Sequence, residues 1–227
     1  MAKNIEFKGF TPNTFQFLRD LGENNYKEWF EANRSVYETE LLHPFKALVL
    51  ALTPVMYSID SNFEFRPHRV LSRIYRDTRF SKNKEPYKTC LWITFQQPVS
   101  DWKDYPGFYM ELSPEGYRYG MGLFMPKKKI MDSFRERIEF DAGEFSQNTK
   151  HIVTGLGFGI GGDLYKKPMQ NNLDEYFQPW VQRKNVYVQK SFPIGEELFS
   201  CKIAENMESD FKALEWLYNF MKDDDLI

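Results

Sequence analysis

Between Arg73 and Lys88 the sequence sets Arg73, Arg76 and Arg79 three residues apart, followed by Lys82, Lys84 and Lys88. Asp77, Phe80 and Tyr87 are threaded among them. Guanidinium groups bind phosphate or carboxylate through two parallel hydrogen bonds, and ammonium groups add mobile point charges. The pattern points to recognition of an anion, or to stabilisation of negative charge that develops in a reaction. Phe80 and Tyr87 supply apolar surfaces on which a base or sugar can stack. Asp77 reads as a clamp rather than a base, because neighbouring guanidinium groups lower a carboxyl pKa and weaken it as a proton acceptor at neutral pH. Asp77 and Tyr87 are still the available proton-transfer groups, and no catalytic residue is assigned. The same residues also suit a solvated basic loop or an ion-pair network with the rest of the chain.

Charge arithmetic isolates this segment. Residues 66–88 carry eight Lys/Arg and two Asp/Glu, whereas the remainder of the chain holds 22 basic and 30 acidic residues. An acidic body with one basic segment steers anions towards that segment. Trp29 and Arg34, in a stretch that also contains Asn24, Asn25 and Asn33, are candidates for a wall of the same pocket; capping asparagines and a core Trp are the structural alternative. Lys127, Lys128 and Lys129 are either a surface cluster or an extension of the basic surface towards a nucleic-acid backbone.

Other chemistry is sparse. Gly157, Gly159 and Gly162 spell G-x-G-x-x-G, but a dinucleotide fingerprint needs a strand before it and a helix after it. Residues 163–172, with Pro168, make a poor helix, so a flexible loop or bulged strand is expected and no cofactor. His43, His68 and His151 are isolated, and no metal-ligand spacing occurs. No metal site is expected.

The elements that must position these residues follow from periodicity. Thr11 and Pro12 open a helix with Phe15, Leu18 and Leu21 on one face. A second helix begins near Asn24 or Asn25. A third runs from Leu41 to Ile59, with Pro54 kinking or ending it. The period then changes to two: residues 69–75, 90–96, 107–113 and 116–124 read as strands, with Ser113–Gly116 a hairpin turn. The basic motif becomes the connection between the first two strands. Apolar residues four apart mark a helix after Pro126, residues 185–192 read as a strand, and residues 195–222 read as one long amphipathic helix. The expected fold is α+β, an antiparallel sheet flanked by N- and C-terminal helices. One domain spans residues 1–227: helical over 1–60, mostly β over 66–124, mixed over 126–192 and closed by the C-terminal helix.

At 227 residues and 42% hydrophobic content, the chain can bury a substantial core. The longest uninterrupted apolar run, Ala47–Leu52, is six residues, so no membrane span is expected. The N-terminus shows no signal-peptide pattern, and Cys90 and Cys201 have no CxxC spacing. A cytoplasmic location is expected.

On these residues the chain resembles the domain of unknown function 2461 family. Phe15, Phe17–Leu18, Asn24–Asn25, Trp29–Phe30 and Tyr37 resemble its N-terminal helices. Arg73–Ile74, Arg76–Asp77, Arg79–Phe80, Ser81–Lys82, Lys84 and Pro86–Thr89 resemble its central signature. Gly120 and Gly122 match its hairpin, and Gly162–Leu164 and Pro168 a later loop. The resemblance implies no activity, substrate or catalytic residue. It does imply that the basic motif is a signature and that the extra glycines before Gly162 are local. The functional expectation is a basic pocket for a phosphate- or carboxylate-bearing small molecule. A nucleic-acid or protein interaction module and a purely structural Arg/Asp network are the alternatives, and the oligomeric state is left open.

Overall fold

The computed structural model describes residues 6–79 and 82–222. Helix α1 (Pro12–Glu23) starts as its sequence requires: Thr11 Oγ1 accepts from the Thr14 amide at 3.3 Å, and Pro12 follows the cap. Helix α2 (Lys27–Ala32) is capped by Tyr26 without a side-chain hydrogen bond, so neither Asn24 nor Asn25 serves as its N-cap. Helix α3 (Arg34–Tyr37) passes through a π-helical turn, Glu38–Leu42, into α4 (His43–Ile59). Pro54 does not end α4. It lies on the exposed side, and the residue four before it, Leu50, is also exposed, so the carbonyl left without an amide partner is on the water-facing side. By length and composition, Arg34–Ile59 is apolar enough to cross a membrane, which the six-residue run understated. Here its apolar side chains Phe45, Leu48, Val49, Leu52 and Met56 are buried in the core.

A five-stranded antiparallel sheet runs β1 (Leu91–Phe95), β2 (Gly107–Ser113), β3 (Gly116–Gly122), β5 (Tyr187–Pro193), β4 (Gly159–Gly161) in spatial order. Ser113 pairs with Gly116, closing the expected two-residue hairpin turn. Alternation divides the sheet. Ile93, Phe95, Phe108, Met110, Tyr119, Met121 and Val188 are buried on one face. That face meets α4 and the C-terminal helices α9 (Lys202–Ala213) and α10 (Glu215–Met221); Phe108, for example, lies 5.1 Å from Phe211 and 5.5 Å from Tyr218 between ring centroids. Each such side chain contributes about 1.5–3 kcal/mol by burial.

Two elements differ from expectation. Residues 69–75 are not a strand. Pro67 opens a short helical turn, α5 (Pro67–Val70), and only isolated bridges follow, Leu71 to Ile93 and Tyr75 to Tyr87. The buried positions there are Val70, Leu71 and Ile74, which do not alternate, and Ser72 interrupts the ladder by accepting the Trp92 amide on its side-chain oxygen. The C-terminal helix is also interrupted. A 3-10 turn, Glu196–Phe199, precedes α9, and Leu214 separates α9 from α10. Its stripe still reaches the core through Leu198, Met207, Phe211, Leu214, Leu217 and Met221, while Cys201 is exposed. Helix α6 (Lys128–Phe140) follows β3 as expected. Helix α7 (Ala142–Lys150) and the short α8 (Gln178–Val181) complete the fold.

Candidate functional site

The basic motif forms an irregular loop anchored at its base by Tyr87. The Tyr87 side chain is buried and its ring stacks on Phe30, 4.2 Å between centroids. Its carbonyl accepts from Asn25 Nδ2 and from Arg76 Nη2, each at 3.1 Å. Two backbone bonds, Arg76 N–H to Pro86 O and Lys88 N–H to Ile74 O, tie the two limbs together. Arg76 also lies 3.6 Å from Glu85. Arg76 therefore faces the protein.

Further out, the loop satisfies itself. Arg79 forms a two-point pair with Asp77 (2.7 and 3.0 Å), and these bonds hold the Asp77 carboxyl at about 2, well below the range of a proton acceptor. Both side chains are more than half exposed, 77% and 58%, so the pair adds little stability. Lys84 donates to the Thr78 carbonyl at 2.8 Å, and Lys82 is exposed. Phe80 lies outside the described residues. Arg34 pairs with Glu31 at 2.6 Å and covers the Phe30 ring, while Trp29 packs on Phe17, so these two stand on the helical side of Tyr87. An acid–base network is thus present in the motif, and its side chains do not converge on a common pocket of their own.

Two motif residues reach elsewhere. Lys88 donates to the Arg73 carbonyl at 2.8 Å and places its ammonium 4.3 Å from the Trp92 ring centroid. Burial, reinforced by the charges of Arg73 and Arg76, lowers its pKa below the ordinary lysine value. Arg73 and Trp92 both line a groove of about 1200 Å³ on the face of the sheet turned away from the helices.

That groove is built by the strand register. One row across the sheet reads Trp92, Glu111, Arg118, Ser191; the next reads Thr94, Tyr109, Gly120, Gln189; the third sets Gly107 opposite Gly122 and Gly122 opposite Tyr187. Gly122 is required here, because a Cβ there would collide with the Tyr187 backbone. Glu111 and Arg118 form a cross-strand ion pair at 2.9 Å, which raises the guanidinium pKa further. The Tyr109 hydroxyl donates to Gln189 Oε1 at 2.9 Å, and burial pushes its pKa well above the phenol range, so it remains protonated. One wall carries Arg69, Ser72 and Arg73. Tyr105, Trp102 and Phe124 also line the groove, the last two stacked. Asp104 accepts the Lys127 amide at 2.7 Å and its ammonium at 2.9 Å. Arg69, Arg73 and Arg118 share the lining with Glu64 and Glu111. Arg66 hydrogen-bonds Glu64 and holds it at about 2, fully ionised.

Most of these side chains escaped the reading of motifs. The signal was present in the alternation itself: Trp92, Thr94 and Gln96, then Tyr109 and Glu111, occupy the non-core positions of their strands. Lys127 and Lys128 do not extend a basic surface, being paired with Asp101, Asp104 and Asp132. The glycine-rich segment forms edge strand β4 beside a hollow of about 480 Å³, and no helix follows Gly162 to receive a pyrophosphate. Among the described residues, no group of three or more His, Cys, Asp or Glu side chains could hold a metal ion.

A family model described as a conserved hypothetical protein (DUF2461) matches residues 13–220. No curated protein matches the chain.

Proposed function

The chain belongs to the conserved hypothetical protein family DUF2461, and within the span that establishes this membership we propose that the outer face of the sheet binds a small molecule carrying a phosphate or carboxylate. The observation that carries the reading is that Arg73 and Trp92 line an aromatic-rich concave surface, while Lys88, bonded to the Arg73 carbonyl, sets its ammonium 4.3 Å from the Trp92 ring. Ligand sites are concave, mostly apolar, and oriented by a few placed polar groups. Arg69 and Arg73 offer fork-shaped donors to an oxyanion, and Lys88 adds a charge next to the indole. The remaining motif residues, Arg76 and Tyr87 above all, hold the limb that presents Arg73 and Lys88. Arg79, Lys82 and Lys84 lie towards the loop tip and contribute long-range attraction.

Calorimetric titration of the full chain with inorganic phosphate, glycerol 3-phosphate and citrate at low salt tests this. Binding is expected to weaken with added salt. Replacing both Arg73 and Lys88 by Gln is expected to weaken it at least tenfold, roughly the contribution of one charge-assisted hydrogen bond. A doubly substituted protein that binds these anions as the parent does would refute the reading.

A further inference from the structure

Resting on that reading, we propose that the groove takes an acidic sugar, a single pyranose or furanose ring bearing one phosphate or carboxylate. The charged rim does not by itself distinguish a sugar from any other anion; the floor does. In the row Trp92, Glu111, Arg118, neighbouring strands lie about 4.8 Å apart, so an indole, a carboxylate and a guanidinium follow one another at the scale of one sugar ring. Glu111 and Arg118 are paired yet partly exposed, which leaves carboxylate lone pairs and guanidinium N–H groups open side by side. That combination suits adjacent hydroxyls, one donating to the carboxylate and its neighbour accepting from the guanidinium. The C–H face of a sugar ring is apolar and packs on aromatic side chains such as Trp92 and Tyr187.

The next row adds a polar bridge. Tyr109 and Gln189 flank Gly120, and the Tyr109 hydroxyl spans it to reach Gln189. The Tyr109 hydroxyl fixes the Gln189 oxygen, and the Gln189 amide nitrogen, which donates to Ser191 Oγ at 3.4 Å, keeps a second N–H to offer. The charge balance limits the ligand further. The lining holds Arg69, Arg73 and Arg118 with Glu64 and Glu111, and both carboxylates are paired, with Arg66 and Arg118. That small positive excess suits a single phosphate or carboxylate.

The test uses the full chain and a panel that separates ring from charge: glucose 6-phosphate and glucuronate, methyl glucoside, glycerol 3-phosphate and inorganic phosphate, and adenosine monophosphate. The charged sugars are expected to bind at least tenfold tighter than glycerol 3-phosphate. Glu111→Gln is expected to remove that advantage, while inorganic phosphate binding does not weaken, because the loss of a carboxylate leaves the lining and Arg118 more positive. Gln189→Ala, which keeps the ion pair, gives a second readout should Glu111→Gln fold poorly. Charged sugars that bind no better than glycerol 3-phosphate overturn the sugar inference and leave the anion reading standing. Methyl glucoside binding as tightly as glucose 6-phosphate overturns the anion reading and leaves the sugar row standing. A preference for adenosine monophosphate over both charged sugars overturns the sugar inference, and a panel without any binding overturns both.

Discussion

Asn25 grips the backbone of Tyr87 as a neighbouring strand would. Its Nδ2 donates to the Tyr87 carbonyl at 3.1 Å and its Oδ1 accepts the Tyr87 amide at 3.0 Å, across 62 positions of sequence. This single side chain ties the N-terminal helices to the base of the basic loop. Asn25→Ala is expected to lower stability by about 1–3 kcal/mol, because it leaves a buried amide without a partner. Asn25→Asp, which keeps the acceptor and loses the donor, is expected to fall between. Urea unfolding of the two variants measures the order, and equal stability of Asn25→Ala and the parent would count against the clamp.

Arg76 and Arg79 are predicted to part company. Arg76 donates to the Tyr87 carbonyl from a partly buried position, whereas the Arg79–Asp77 pair is exposed. Arg76→Ala is expected to cost about 1–2 kcal/mol, and Arg79→Ala less than about 0.5 kcal/mol. Denaturation midpoints decide it. A larger loss from Arg79→Ala than from Arg76→Ala would contradict the assignment of Arg76 as the internal anchor.

Asp60 sets an acid limit. Its burial favours the neutral form, but hydrogen bonds from Tyr218 (2.6 Å), the Asn62 amide (2.8 Å) and Gln97 (2.9 Å), together with the Lys222 charge, outweigh it and hold the carboxyl at about 2. The folded value lies below the ordinary one of 3.8, so the ionised carboxylate stabilises the fold fully above that value. The contribution, about 2 kcal/mol, is lost as pH falls from about 4 towards 2. Stability measured from pH 5 to pH 2 is expected to fall less steeply in Asp60→Asn, which has nothing to protonate there. Identical slopes would remove Asp60 from the account.

Gly122→Ala is expected to damage the groove and the sheet together. The added methyl collides with the Tyr187 backbone and Cβ on the neighbouring strand, so relief requires moving β5. A cost of about 1–3 kcal/mol follows from overpacking. Thermal unfolding measures the loss. Parental stability in this variant would show that β3 and β5 separate easily, contrary to the tight approach at Gly122.

What could be read from the chain itself was local. Thr11–Pro12 start a helix because capping and a fixed proline φ operate within four residues, and Ser113–Gly116 turn because two residues suffice to reverse a strand. The four-residue periodicity after Pro126 and the apolar stripe before Lys222 identified helices for the same reason, although the stripe did not reveal the break at Leu214. The charge of residues 66–88 was legible as composition, and the resemblance of that segment to a family signature agreed with the match over residues 13–220.

The direction of that charge was decided only by tertiary structure. In a helix or strand, spacing fixes which side a residue faces; in an irregular loop it does not. Arg76 turned inward and donates to the Tyr87 carbonyl, 11 residues on, beside Asn25. Arg79 folded back on Asp77, while Arg73 came to line a groove built by other strands and Lys88 set its ammonium against Trp92 of that lining. The sequence by itself determined the hairpin, most helices and the segment that holds the cations. Cross-strand register, which joins Trp92 to Glu111 and Arg118 through backbone hydrogen bonds between distant segments, determined the surface those cations overlook.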